Sequence, residues 1–173
     1  FLGRKNPMGA VEAFRRAFPD RRDVVLVLKG HHRPQGHDGG EAAAWREIDA
    51  AVTSDARIRL LERTLPHERV MDLVSGADCY VSLHRSEGFG LGPAEAMLRG
   101  VPAIVTAYGG TEDFCDDATA LRVSCRMIPV GMDAYLHAEP GRLWADPDID
   151  RAADAMGRIA GDAAFAQRLG QAA

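Results

Sequence analysis

Two stretches concentrate the side chains able to do chemistry. The longer, Ala77–Gly100, reads ADCYVSLHRSEGFGLGPAEAMLRG. Within it Glu87 and Glu95 stand on either side of Gly88, Gly90 and Gly92, with His84 and Arg85 just ahead. A carboxylate accepts two hydroxyl hydrogen bonds at once, and such acids do not enter a core unless paired. Glycines at alternate positions let the backbone come close to a ligand with its N–H groups turned toward it. The shorter stretch is Arg4-Lys5, two cations just ahead of Pro7. Each feature also has a plainer reading: solvated surface for the cations, a flexible turn for the glycines, a capping contact for Glu95.

The surroundings of the longer stretch read as strand, loop, helix. Cys79-Tyr80-Val81-Ser82-Leu83 is a short apolar run, expected as a buried strand. Pro93 suits a first helical turn, where its missing N–H costs nothing, and Ala94–Leu98 are good helix formers. In an α/β fold this order places the loop at the carboxyl end of a strand, where ligands bind. A helix start there offers unpaired N–H groups to an anion. The Rossmann dinucleotide pattern does not fit, because the loop lies far into the chain with a glutamate on each side.

Taken in order, the chain alternates helix and strand. Phe1-Leu2-Gly3 reads as the tail of a strand or loop. Met8, Val11, Ala13, Phe14, Ala17 and Phe18 form an apolar stripe at helical spacing. Val24–Leu28 is a continuous apolar run, predicted as a central parallel strand. His31 to Gly40 is a polar loop, and 41–52 a helix with Trp45, Ile48 and Val52 inward. Strands are expected at 58–61, 79–83, 103–106 and 120–123. Helices are expected at 66–75, with Val70, Leu73 and Val74 inward, and at 150–172. Gly109-Gly110 is a turn into a short helix at 111–114, and 127–147 reads as irregular. Five strands in one parallel sheet with helices on both faces are expected: an α/β, Rossmann-like, open parallel sheet.

Composition narrows the classes. The chain has 173 residues, is 46% hydrophobic and carries a net charge of −4. That is one domain with a real core, neither disordered nor basic enough to suggest a nucleic-acid partner. No apolar run approaches the length of a membrane span. Cys79, Cys115 and Cys125 are scattered without metal-ligand spacing, and a cytoplasmic setting is expected. His31, His32 and His37 share a loop but lack a nearby cysteine or acid pattern, so no metal site is expected.

Glu87-Gly88-Phe89-Gly90-Leu91 with Glu95 resembles the E-x7-E signature of retaining GT-B glycosyltransferases of the large GT4-type family. The likeness continues through Gly100-Val101-Pro102, Thr106 and Gly109-Gly110. It begins at Arg4-Lys5-Asn6-Pro7, and a weaker echo reaches Trp144-Ala145-Asp146-Pro147, so nearly the whole chain is covered. The resemblance implies the C-terminal, donor-binding domain of a hexosyl-type transferase. It implies a UDP- or GDP-sugar donor, an acceptor still to be named, no cofactor, and an N-terminal acceptor domain outside residues 1–173.

By the same resemblance Lys5, with Arg4 beside it, holds the donor diphosphate, and a partner arginine is expected upstream of Phe1. Glu87 faces the sugar and Glu95 takes the ribose hydroxyls. Gly88, Phe89, Gly90, Leu91, Gly109 and Gly110 border the phosphate and sugar. Arg85 either assists the diphosphate or ties down its loop, and Lys29 and His31 lie near the base. Glu87 is not assigned as a covalent nucleophile, since paired-carboxylate chemistry needs two acids flanking one bond. The residues after Tyr108 depart from the serine-glycine-asparagine of the most similar subgroup, which leaves the sugar open. Two alternatives stand beside this reading: a nucleotide-sugar epimerase-like enzyme on the same scaffold, and a non-catalytic nucleotide-binding module.

Overall fold

A computed structural model of the chain describes residues 2–31, 33, 40–131 and 141–173. The elements are α1 (Leu2–Lys5), α2 (Pro7–Ala17), β1 (Leu26–Gly30), α3 (Gly40–Ser54), β2 (Ile58–Glu62), α4 (His67–Ser75) and β3 (Tyr80–Ser82). They continue with α5 (Leu91–Met97), β4 (Ala103–Thr106), a 3-10 turn at Gly109–Asp113, β5 (Leu121–Val123), β6 (Cys125–Pro129), β7 (Leu143–Pro147), α6 (Ile149–Gly161) and α7 (Ala163–Ala172).

The strand that best explains the layering is β4. All four of its residues are buried. Successive side chains point to opposite faces of a sheet. Ile104 accordingly joins one core with Val11, Phe14, Met156 and Ile159, while Ala103 and Val105 join another with Met97 and Cys115. A third cluster, Met71, Val74, Ala96 and Val101, packs α4 against α5. Apolar burial on both faces is what a parallel sheet between two helical layers requires.

Parallel pairing is present, in two ladders where a single one was expected. β1 pairs with β2, and β3 pairs with β4 and β4 with β5, all parallel. Leu26, Leu28, Val81 and Leu83 belong to one core, so β1 and β3 are joined by side-chain packing and not by backbone hydrogen bonds among the described residues. The expected central strand also begins later than its apolar run. Val25 and Val27 are 57% and 46% exposed, because only the Leu26 and Leu28 face of β1 meets the α2 and α3 side chains of the core.

Three further expectations change. Leu2–Lys5 is a helical turn, not the tail of a strand. The segment expected to be irregular contains an antiparallel pair, β6 with β7, in which Pro129 stands opposite Leu143 and Pro147 opposite Cys125. Prolines at strand ends are tolerated in a two-stranded edge ribbon, and they disguised it as a loop. The final helix is two helices: Asp162 interrupts it, its carboxylate accepting from the Phe165 N–H at 2.8 Å to start α7. In α4, Met71 is buried beside Val74, a position the expected stripe omitted. Burial pushes the Cys79 thiol up to about 12, consistent with a packing residue. Among the described residues no helix is long and apolar enough to cross a membrane.

Candidate functional site

The site is assembled by a residue whose role the sequence reading did not assign. Asn6 is buried and holds a left-handed backbone, φ 51°, a conformation asparagine tolerates better than most residues. Its Oδ1 accepts from the Gly9 N–H at 3.2 Å and caps α2. Its Nδ2 donates to the Leu83 carbonyl, 2.9 Å away at the end of β3. Beside it, the Arg85 N–H donates to the Arg4 carbonyl at 2.8 Å. A Cβ on Gly9 would fall 2.3 Å from Asn6 Nδ2, so a larger residue there would push the Asn6 amide out of its cap. The Asn-Pro dipeptide, an N-cap followed by proline at the first helical position, is the signal that could have found Asn6.

This clasp brings Arg4 and Lys5 onto Glu87. Arg4 Nη1 donates to the Ser86 carbonyl at 2.9 Å and lies 3.2 Å from Glu87 Oε1. The Lys5 ammonium bonds the other oxygen, Oε2. The Glu87 side chain is 12% exposed and that of Lys5 50%. Burial raises the Glu87 carboxyl, but the hydrogen bond and charge of Lys5, followed by Arg4, outweigh it and hold the group below its ordinary value. Glu87 is therefore ionised at neutral pH. Two cations meet one carboxylate, and the more exposed cation has donors left over. Such a cluster can take up an anion.

The glycine loop and the Tyr108–Gly110 segment meet backbone to backbone. The Gly110 N–H donates to the Glu87 carbonyl at 2.9 Å. A Cβ on Gly110 would sit 2.1 Å from the Gly88 carbonyl oxygen, and one on Gly109, whose φ is +80°, 2.7 Å from that of Glu87. Gly110 thus spends its N–H inside the protein, and both glycines allow the approach. Gly90, at φ +96°, stands over Thr111, whose Cγ2 would be 2.6 Å from an added Cβ. Phe89 is half exposed with its ring 5.2 Å from that of Phe114. Leu91 is exposed at the start of α5, one residue after the Gly90 cap.

The structure also places the remaining expected residues. Glu95 lies in the second turn of α5, partly exposed, with His67 Nε2 3.7 Å from its carboxylate. Burial first, then the charges of Glu95 and Glu87, push the Tyr80 phenol up. Its hydroxyl would be 2.1 Å from a Cβ on Gly92, so the ring packs closely against the first turn of α5. Arg85 turns away from Glu87. Its Nη2 is 3.4 Å from Asp146, its guanidinium lies 5.1 Å from the Trp144 ring, and its carbonyl accepts from the Ala145 N–H at 2.8 Å. These contacts fasten the segment after β3 to the β6–β7 hairpin. Lys29 and His31 stand at the end of β1, where the Lys29 ammonium donates to the Gly30 carbonyl at 3.0 Å. His32 and His37 lie outside the described residues. Among those described, no three His, Cys, Asp or Glu side chains gather as metal ligands.

Comparison with known proteins agrees with this architecture. The family model for group 1 glycosyl transferases matches residues 1–173. A search of the curated proteins gave no match. Among solved structures, WaaG, a glycosyltransferase involved in lipopolysaccharide biosynthesis, is similar at 16% identity and a TM-score of 0.70, over 98% of this chain and 38% of that one. The C-terminal domain of the group 1 family protein LpcC from Francisella tularensis is 19% identical with a TM-score of 0.70, over 98% of this chain and 75% of that one. Anabaena Alr3699/HepE, solved with UDP and glucose, is 17% identical with a TM-score of 0.71, over 98% and 39%. These likenesses establish the fold as the GT-B-type, Rossmann-like one. The chain spans 38–39% of the length of WaaG and HepE.

Proposed function

The chain belongs to the family of group 1 glycosyl transferases, and we propose that residues 1–173 are its donor-binding, C-terminal domain in a retaining, GT4-type enzyme. The observation that carries this is the Lys5–Glu87–Arg4 cluster, built from residues 82 and 83 positions apart beside a glycine loop. A nucleotide sugar has both features the cluster suits: an anionic diphosphate and a polyhydroxylated ring. The HepE structure holds UDP and glucose, and the same ligand class is proposed here as a UDP- or GDP-sugar.

In this reading Lys5, with Arg4, neutralises the nucleoside diphosphate as the glycosidic bond breaks. Fixed cations aimed at developing charge need no reorganisation during the reaction. Glu87 faces the sugar, which gains positive character in transfer, so its carboxylate is worth more in the transition state than in the ground state. Glu95 takes the ribose hydroxyls, an interaction nearly the same before and after transfer, and its loss appears mostly in KM. Gly88, Phe89, Gly90, Leu91, Gly109 and Gly110 wall the sugar and phosphate, and Lys29 and His31 lie toward the base. The acceptor-binding domain closes over this face and excludes water from the activated sugar. The two cations supply the charge that a metal supplies elsewhere, so the full-length enzyme keeps its activity in excess chelator. The proposed compartment is the cytoplasm.

Thermal shift of the chain against UDP-, GDP- and ADP-sugars, followed by titration with the matching nucleoside diphosphate, tests the reading. Binding of modest affinity with little or no transfer by these residues alone is expected, since half a cleft buries less ligand. No binding by any of them, or robust transfer by the 173 residues alone, would overturn it.

A further inference from the structure

His84 is wholly buried, at 0% exposure, three residues before Glu87. Its ring has two polar partners. Nε2 lies 2.9 Å from the Tyr108 carbonyl oxygen and Nδ1 3.0 Å from Ser82 Oγ. A carbonyl oxygen only accepts, so Nε2 carries a proton. Burial, the largest influence on the ring, lowers its pKa, and Lys5 lowers it further, against the opposing pull of the Tyr108 carbonyl, Glu87 and the Ser82 backbone. In the neutral ring Nδ1 is then bare and accepts from the Ser82 hydroxyl.

The Tyr108 bond joins the segment after β3 to the segment after β4, and the local Ser82 bond orients the ring. The same two segments touch above the ring, where the Gly110 N–H meets the Glu87 carbonyl at 2.9 Å and the two backbones leave no room for a Cβ on Gly109 or Gly110. Thr111 Oγ1, 3.4 Å from the Tyr108 oxygen, is the other side chain on that carbonyl. The separation of the two segments is thus set from below by the imidazole and from above by glycine backbone. Glu87 rides on one of them and is met by Arg4 and Lys5 from α1.

We propose that His84 is a positioning residue: as the neutral Nε2–H tautomer it locks the Glu87–Gly92 loop to the Tyr108–Gly110 segment. It thereby holds Glu87 in the place where Arg4 and Lys5 complete an anion site. The ligand half of this statement rests on the donor-binding reading above; the locking half does not. His84→Gln retains an amide N–H able to reach the Tyr108 carbonyl, whereas His84→Leu keeps bulk and loses the donor.

The test uses the full chain with ¹⁵N-labelled histidine. Long-range ¹H–¹⁵N correlation should report an Nε2–H tautomer for the ring whose signals vanish in His84→Gln. Exchange of the Gly110 amide should quicken about tenfold in His84→Leu, as loss of one hydrogen bond would bring. UDP or GDP should bind His84→Leu about tenfold more weakly, and His84→Gln should recover most of both effects. An Nδ1–H tautomer, unchanged Gly110 exchange in His84→Leu, or a glutamine variant no better than the leucine one would overturn the proposal. If His84→Leu does not fold, the tautomer and the glutamine variant decide. If neither UDP nor GDP binds the wild type while tautomer and exchange behave as stated, the locking role stands and the donor-binding reading falls.

Discussion

The charged cluster around Glu87 has a counterpart at the end of β1 that looks similar and works in the opposite sense. There Arg33 Nη1 and Nη2 reach Asp49 at 2.7 and 2.9 Å, and Nε and Nη2 reach Glu62 at 2.8 and 2.7 Å. The guanidinium lies 4.5 Å from the Trp45 ring. One cation is saturated by two carboxylates, first Asp49 and then Glu62, and its pKa is driven far above the ordinary value. At Glu87 the ratio is inverted: one carboxylate serves two cations, and Lys5 is half open to solvent. A saturated cluster with excess negative charge fastens a strand to a helix. An unsaturated one with excess positive charge is what an anionic ligand needs.

The comparison breaks most sharply at Glu87. In the full-length enzyme Glu87→Gln should lower kcat at least about a hundredfold, the size of losing one transition-state electrostatic contact. Binding of nucleoside diphosphate should not weaken, because the substitution releases Lys5 and Arg4 from their carboxylate. A variant with normal kcat and poor diphosphate binding would reverse the assigned role.

Gly110→Ala attacks the frame under the same cluster. Its Cβ would enter a space 2.1 Å from the Gly88 carbonyl, and backbone there cannot yield as a side chain could. Overpacking of this kind costs about 1–3 kcal/mol. Calorimetric melting should fall accordingly, and titration should show diphosphate binding at least about tenfold weaker.

Lys5→Met and Arg33→Met sharpen the contrast as a pair. Lys5→Met should cost about tenfold in diphosphate affinity, a charge-assisted bond or more, with a smaller drop in melting temperature than Arg33→Met. Arg33→Met should leave affinity unchanged and lower the melting temperature by about 2–4 °C, as expected for a partly exposed ion pair. Equal effects of both on both measurements would show that the two clusters do not differ in kind.

The smallest expected effect is on acid stability. The carboxyls of Glu87, Glu62 and Asp49 all titrate below their ordinary values in the fold. A depressed folded pKa contributes stability that is fully present above the unfolded value and lost as pH falls through the folded one. Urea midpoints should therefore decline below about pH 4.5. Asp55, held at about 2 chiefly by its hydrogen bond to Arg57, extends the decline toward that pH. Asp55→Asn should flatten its lower part, and an unaltered slope would remove Asp55 from this account.

Much of the layering was legible in the chain itself, for reasons that act over short windows. Ala103–Thr106 is a strand with the bounds its apolar run suggested, and Pro7–Ala17 is a helix with Val11, Ala13 and Phe14 buried, as the 3.6-residue spacing required. The glycine loop between β3 and α5 was set by turn chemistry and proline placement. The hairpin of β6 and β7 was hidden because Pro129 and Pro147 give a loop-like local pattern, and only the partner strand shows them to be strand ends. The break at Asp162 was missed because the apolar spacing carries on through it.

What the tertiary structure alone decided is which distant residues meet. No local period relates Lys5 to Glu87, or Arg33 to Asp49 and Glu62, and side-chain direction in a loop has no period at all. Arg85 lies between β3 and Glu87 but turns toward Asp146 on the hairpin, because the Trp144 ring and a carboxylate await it there. Residue types and spacing thus determined the alternation of strand and helix and the glycine loop, and the motifs from Arg4 to Pro147 carried the resemblance to the family that the group 1 model matches. Tertiary packing, with Asn6 fastening the start of α2 to the end of β3, decided which cations stand over Glu87, since that pairing exists only once segments more than 70 residues apart, 77 for Asn6 and Leu83, are held side by side.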